Sequence, residues 1–466
     1  MAKQRWGMQD CANALLVAML IATAWMFGRT HSVDQSRYPG GDFLQFYTAG
    51  AVIDRGNPER LYDQSYFREF ERSIYGDQPA HYSLYPPMMA AAMSVLARFS
   101  FGPALAMWLV LQGACLAGAC VLLYRTMAFS RPWRWTALLA LFTVFPLWMM
   151  LYLKHLTSFL LLVVAVGLTL HARDRRATAG LLLSLLAIKP QLAAGVFLWL
   201  LLRRDVRAIA GMVMGGLLQV AATAALLGPG IFVQYVEAFP TINRVLEGGR
   251  FTPITQGAIA GTLLDLLTFR GYHCRESLLA SELMRLLPAV VAGCLLLQVM
   301  RVRRRLTGQG AAFHQAVRYE HAALVLFLVL APPYLLSYDL LLLAIPLVHI
   351  LSSPRWRAGM VLYLAMTPVA LIAYLVMGIS LLPFVALWTM AQVAAAARSL
   401  AMETLGPGAA STPALTGVLR WFRWGRWRST RFFGVRPFIA AFPNAFLSFP
   451  NSVESPLSPD EKGGDE

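Results

Sequence analysis

Five short stretches carry residue types able to act on a charged substrate presented at a membrane. Asp42 lies in "RYPGGDFLQFYTAG", about a dozen residues past the apolar run "CANALLVAMLIATAWMFG". Tyr85 stands in "LYPP", Lys154 and His155 in "YLKHLT", Lys189 and Gln191 in "AIKPQL", and Tyr338 and Asp339 in "LSYDLL". A carboxylate such as Asp42 can take the proton from a hydroxyl as its oxygen attacks. Lys189 or Lys154 can neutralise a leaving phosphate where the dielectric is low. Gln191 and Tyr85 can hydrogen-bond the substrate, His155 can bind phosphate or act as an acid, and Tyr338 with Asp339 can position an attacking group. Each also has an ordinary reading. Asp42 would cap a helix beginning at Phe43, Lys189 would snorkel, Lys154-His155 would be an interfacial turn, Tyr85 a belt aromatic, and Tyr338-Asp339 a helix end. Asp34 and Asp54 compete with Asp42 for the role of base, and Asp54 is expected to pair with Arg55 or Arg60 in a solvated loop. His81, His273 and His321 read as incidental.

The elements that must position these residues are membrane helices. The chain is 58% hydrophobic and 14% charged, with a mean hydropathy of +0.55. A soluble domain carries roughly 25% charged residues. Long uncharged runs need lipid around them, which predicts an all-α polytopic membrane protein with about twelve spans. The formal charge of +16 sits largely in Arg clusters between apolar runs. Those clusters mark cytoplasmic loops and argue against nucleic acid as a partner.

Lys3 and Arg5 place the N-terminus in the cytoplasm, and the run from Cys11 to Gly28 is read as a retained first helix rather than a cleaved signal. The catalytic-type residues then fall on the outer side. They come from a long first external loop (29–100), the Lys154-His155 turn, the Lys189 break and the Tyr338-Asp339 turn. Arg clusters flank residues 178–202 on both sides, so that segment is expected to be two short helices broken at Lys189-Pro190. A second external segment covers 228–282. Residues 1–398 form the membrane domain, and 399–466 form a cytoplasmic tail that includes the basic-aromatic run "RWFRWGRWRSTRFFGVR". The tail suits either an anionic leaflet surface or partial disorder. The five cysteines read as small buried hydrophobes.

The run "GGDFLQFYTAGAVIDRGNPERLYD", followed by "YSLYPPMMAAAMSVLARF" and "AGLLLSLLAIKPQLAAGVFLWLLLRR", resembles glycosyltransferase family 87. The likeness spans roughly Asp42 to His349. The "KHLT" turn departs from the Gly-Gln-Asn type sequence found in relatives, whereas "SYDLLLLAIP" is similar to theirs.

The resemblance implies a multi-pass inner-membrane enzyme of the GT-C architecture. Such an enzyme moves a mannose-like hexose or pentose from a polyprenyl-phosphate donor to a lipid or glycan acceptor hydroxyl on the outer face, with inversion. It implies an aspartate early in the first loop, Asp42 here, as general base. The partners would be the donor, the acceptor and membrane lipids. No cofactor is expected, and a divalent ion is left open. No Walker loop, dinucleotide fingerprint or metal-ligand spacing is present, which disfavours a soluble nucleotide-sugar donor. A transporter or glycolipid flippase is the alternative, since many spans and a broken helix suit that class too.

Overall fold

The computed structural model describes residues 7–34, 40–76, 81–127, 130–242, 278–306, 310–332, 335–353, 355–368 and 381–406. Regular structure among them is helical, without strands. The first half contains α1 (Met8–Asp34), α2 (Asp42–Asp54), α3 (Gln64–Tyr75), α4 (Pro87–Ala97), α5 (Phe101–Thr126), α6 (Arg131–Leu141), α7 (Phe145–Leu153) and α8 (Thr157–Ala172). Next come α9 (Arg176–Leu183), α10 (Pro190–Arg203), α11 (Val206–Leu227) and α12 (Gly230–Glu237). After the undescribed stretch follow α13 (Leu278–Arg305), α14 (Ala311–Leu330), α15 (Ala344–Leu351), α16 (Trp356–Met366) and α17 (Leu382–Leu405). The basic-aromatic tail, His273 and most of the expected second external segment lie outside the described residues.

Five of these helices are long and apolar enough to cross a membrane, and six if α6 and α7, bent by 48° at their junction, act as one span. The expected number was about twelve, counting most apolar runs as full crossings and residues 178–202 as two short helices. Several runs instead form helices too short to cross alone, among them α4, α8 and α10. The long helices present apolar side chains outward: Val110 on α5 is 72% exposed and Leu226 on α11 is 68% exposed. Faces of that kind need hydrocarbon rather than water against them.

The stretch expected as the first external loop is largely helical. Its aromatic residues Phe43, Phe46 and Phe67 are fully buried in the main core. Helix α2 lies against α4 so closely that a side chain at Gly50 would strike the Met93 carbonyl.

The break at Lys189 forms as the flanking arginines require. α9 passes through a 3-10 segment (Ser184–Ile188) to Lys189, and Pro190 opens α10. Proline is well tolerated in the first helical turn, where its missing N–H is not needed. Helices α9 and α11 approach at small residues. A methyl group at Gly180 would collide with the Ala208 carbonyl, and one at Gly211 with the Ala177 carbonyl.

Candidate active site

Asp42 is the first residue of α2, and Gly41 rather than Asp42 holds the cap position. Gly41 has φ of 52°, a left-handed conformation favouring glycine, and a Cβ there would strike the Leu153 carbonyl. The start of α2 is thereby wedged against the end of α7. Four contacts then fix the roll of α2. Phe43 stacks on Trp108 with ring centres 5.6 Å apart, Phe46 meets the edge of Tyr85 at 5.0 Å, the Tyr47 hydroxyl donates to the Phe99 carbonyl at 2.9 Å, and the Gln45 amide donates to the Tyr82 carbonyl.

Leu153 leads directly into the second component. Lys154 ends α7 in a left-handed conformation, φ 55°, which is uncommon for a residue with a side chain. The Trp108 indole holds this turn by donating to the Lys154 carbonyl at 2.8 Å. The Lys154 ammonium is buried, and among the described residues it makes a single long hydrogen bond, to the Tyr152 carbonyl at 3.3 Å. Burial lowers its affinity for a proton and the Asp42 charge raises it, with a net fall from the ordinary lysine value.

A continuous chain of hydrogen bonds supports the other side of the site. The Tyr85 hydroxyl meets His155 Nε2 at 2.9 Å, His155 Nδ1 meets Thr157 Oγ1 at 2.7 Å, and Thr157 Oγ1 donates to Asp339 at 3.3 Å. Lys189 donates to both carboxylate oxygens of Asp339, at 2.6 and 2.7 Å. These directions assign the proton to Nδ1 of a neutral His155. Burial, and after it the Lys189 charge, holds His155 well below its usual pKa, which agrees with that assignment. The His155 ring stacks on Tyr338 at 3.8 Å, and the Lys189 ammonium lies 5.0 Å from the centre of the same ring. The Tyr338 hydroxyl acts on the Asp42 carboxylate as well, favouring its charged form against the effect of burial.

Asp42, Tyr85, Lys154, His155, Lys189, Tyr338 and Asp339 therefore converge. Gln191 does not: it is exposed on α10 and makes no hydrogen bond to the group. Lys189, expected to receive a leaving phosphate, is paired with Asp339. Asp54 is solvated, as expected, but its cationic neighbour is Arg98 at 3.9 Å rather than Arg55 or Arg60.

The electrostatic balance singles out Asp42. Its pKa is raised from 3.8 to about 6, mainly by burial, with the charges of His81 and Lys189 opposing. His81 was read as incidental, yet it faces this carboxylate. Its backbone N–H and Nδ1 both contact Glu71 Oε1 at 2.9 Å. Burial alone would lower the His81 pKa, but Glu71 and Asp42 outweigh it and the net shift is upward. Thr157 was also missed, and it is the link between His155 and Asp339.

A family model described as glycosyltransferase family 87 matches residues 84–333, more than half of the 466-residue chain. The chain belongs to glycosyltransferase family 87. No curated protein and no solved structure matches it significantly. Of the clustered residues, Tyr85, Lys154, His155 and Lys189 fall within the family 87 match. Asp42 precedes it, and Tyr338 and Asp339 follow it. Family membership and the apolar helices make the protein a membrane glycosyltransferase. In that class of reaction a half-buried carboxylate without a cation bonded to it is suited to removing a proton, and a buried ammonium beside it is suited to an anion.

Proposed function

We propose that the protein transfers a hexose or pentose, mannose-like in type, from a polyprenyl-phosphate donor to a hydroxyl of a lipid or glycan acceptor. Asp42 acts as the general base. As the acceptor oxygen bonds to the anomeric carbon, its proton passes to Asp42 and the bond from that carbon to the phosphate oxygen breaks. The electron pair leaves with the phosphate, and attack from the face opposite the leaving group inverts the centre. Lys154 rather than Lys189 receives the phosphate charge. Lys189 and Asp339 brace Tyr338, which orients Asp42, and Tyr85 and His155 line the donor side.

The observation that carries this reading is the availability of Asp42. Its pKa is raised toward neutrality, while the neighbouring cations His81 and Lys189 are each engaged by another carboxylate. The arrangement sits where helices α2, α7, α8 and α10 begin or end, as a site at a membrane surface requires. We place that surface on the outer face, with both termini cytoplasmic and the short helices completing a GT-C architecture of about twelve membrane-embedded segments.

The test uses the purified protein in liposomes with polyprenyl-phosphate mannose or a nucleotide sugar as donor. Transfer is expected from the lipid donor alone, with Asp42→Asn losing about 10²–10⁴-fold. Transfer from the nucleotide sugar alone, or an Asp42→Asn rate within a few-fold of wild type, overturns the proposal. For orientation, cysteine at Gly76 should react with an impermeant thiol reagent from outside, and cysteine at Gly310 should not. The reverse pattern rejects the outer-face assignment.

A further inference from the structure

At the other end of α8 from Thr157 lies a half-open cavity of about 550 Å³. The last turns of α5 and α8, the first turns of α14, and α15 enclose it. Its basic lining residues are Arg173, His314, Arg318, His321 and His349. Among the described residues that line it there is no carboxylate. Neither Arg173 nor Arg318 has a carboxylate partner among the described residues, and Arg318 donates only to the Gln315 side chain. The remaining wall is mostly apolar, with Leu122, Leu168 and Ile345 beside Thr126 and Thr169.

Two buried imidazole nitrogens here have no hydrogen-bond partner, Nε2 of His321 and Nδ1 of His349. His321 is only 5% exposed, so water at the surface does not solvate it freely. A buried polar group left unpaired costs about 1–3 kcal/mol. A neutral imidazole can present either nitrogen as a donor, and an anion with several oxygens would satisfy both. The first turn of α14 adds the partial positive charge of a helix N-terminus on the same side.

We infer that this cavity binds the phosphate head of an anionic lipid. Arg173, Arg318, His321 and His349 hold the phosphate, and the first methylenes lie along Leu122, Leu168 and Ile345. The apolar wall and the volume, far larger than a phosphate ion needs, select a lipid over free phosphate. The site is separate from Asp42 and does not depend on the transfer reaction.

The full-length protein, stripped of lipid in detergent, would be titrated in native mass spectrometry with phosphatidylglycerol, with phosphatidylcholine of the same chains, and with inorganic phosphate. Phosphatidylglycerol should bind at least about 10-fold more tightly than phosphatidylcholine, and the variant Arg173→Gln/Arg318→Gln should weaken its binding about 30-fold, corresponding to ~1 kcal/mol for each arginine. Both arginines are at least partly exposed, so the variant should fold normally. Leu168→Trp, which fills the cavity without altering charge, should also abolish the preference. Equal binding of the two lipids, an undiminished preference in the double variant, or binding of inorganic phosphate as tight as that of phosphatidylglycerol would overturn the inference.

Discussion

Helix α8 separates two polar clusters by about 24 Å, sixteen residues at 1.5 Å each. Near its C-terminal end, Glu320 receives the Trp199 indole at 2.9 Å and the Arg203 guanidinium, with Arg303 at 3.6 Å. Asp205 there meets His171 at 3.1 Å and caps α11 by accepting from the Ala208 N–H at 3.3 Å. At the N-terminal end Asp42 is influenced by the Tyr338 hydroxyl and has no ion pair among the described residues. The two carboxylates differ in their cations: Glu320 is paired with two arginines, although its Oε2 accepts no hydrogen bond, whereas Asp42 is paired with none among the described residues. A carboxylate paired with arginines holds helices together, whereas a buried one without an ion pair retains basicity that chemistry can use.

The largest expected contrast comes from removing one carboxylate at each end. Glu320→Ala strands Arg203 and Arg303, and should lower unfolding stability by about 3–5 kcal/mol while the rate per folded molecule stays within two-fold or so. Asp42→Asn should do the reverse. The rate collapses, but the fold gains stability at neutral pH. The sign follows from the raised pKa. Between about 4 and 6 the folded state binds the extra proton, so stability falls as pH rises through that window and the penalty persists above it. Thermal unfolding of both variants at pH 7.5 checks this, and a destabilised Asp42→Asn would erase the distinction between the two ends.

The two lysines of the active site sharpen the same contrast. Lys189→Met leaves Asp339 buried without its cation and should cost about 3 kcal/mol of stability, most of it recovered by adding Asp339→Leu. Lys154→Met should leave unfolding nearly unchanged and raise the KM for the lipid donor about 10- to 100-fold, the worth of one hydrogen-bonded charge. If the KM effect belongs to Lys189 instead, the phosphate ligand is misassigned.

A smaller effect is expected in the pH profile. kcat should fall about tenfold per unit as pH drops below about 6, because Asp42 must be deprotonated to accept the proton. A flat profile between pH 5 and 7 would exclude it as the base. Smallest of all, Asp54→Asn should change the rate by less than about two-fold, since that carboxylate is solvated and apart from the cluster.

Much of this site could be read from the sequence because its members stand at helix breaks. "KPQ", "LKHLT" and "SYD" are polar interruptions in apolar runs, and charge at such points is costly unless it is used. What could not be read was the pairing. Lys189 and Asp339 are 150 residues apart, and nothing local signals that one neutralises the other. His81 was missed for the same reason, since its partner Glu71 lies on α3 and its neighbour Asp42 on α2. About twelve crossings were expected, and five or six helices among the described residues are long and apolar enough to cross, because hydropathy registers apolar length and not the length of the helix that forms. The segment after Asp42 looked like a loop because its charges masked the buried faces of α2 and α3.

The division of the chain at Lys189 bears on how the protein is made. Helix α10 is about 21 Å long, fourteen residues at 1.5 Å each, and α9 is shorter still. Neither reaches across a hydrocarbon core of about 30 Å, so neither is a self-sufficient signal to the insertion machinery. Helix α11 is long and apolar enough to cross alone and follows directly after them. Its glycine contact with α9 offers the earlier segment a docking surface while the chain is still emerging. Bulky residues at Gly180 or Gly211 should therefore strike first at biogenesis, lowering the yield of inserted protein while the molecules that do insert keep a normal rate.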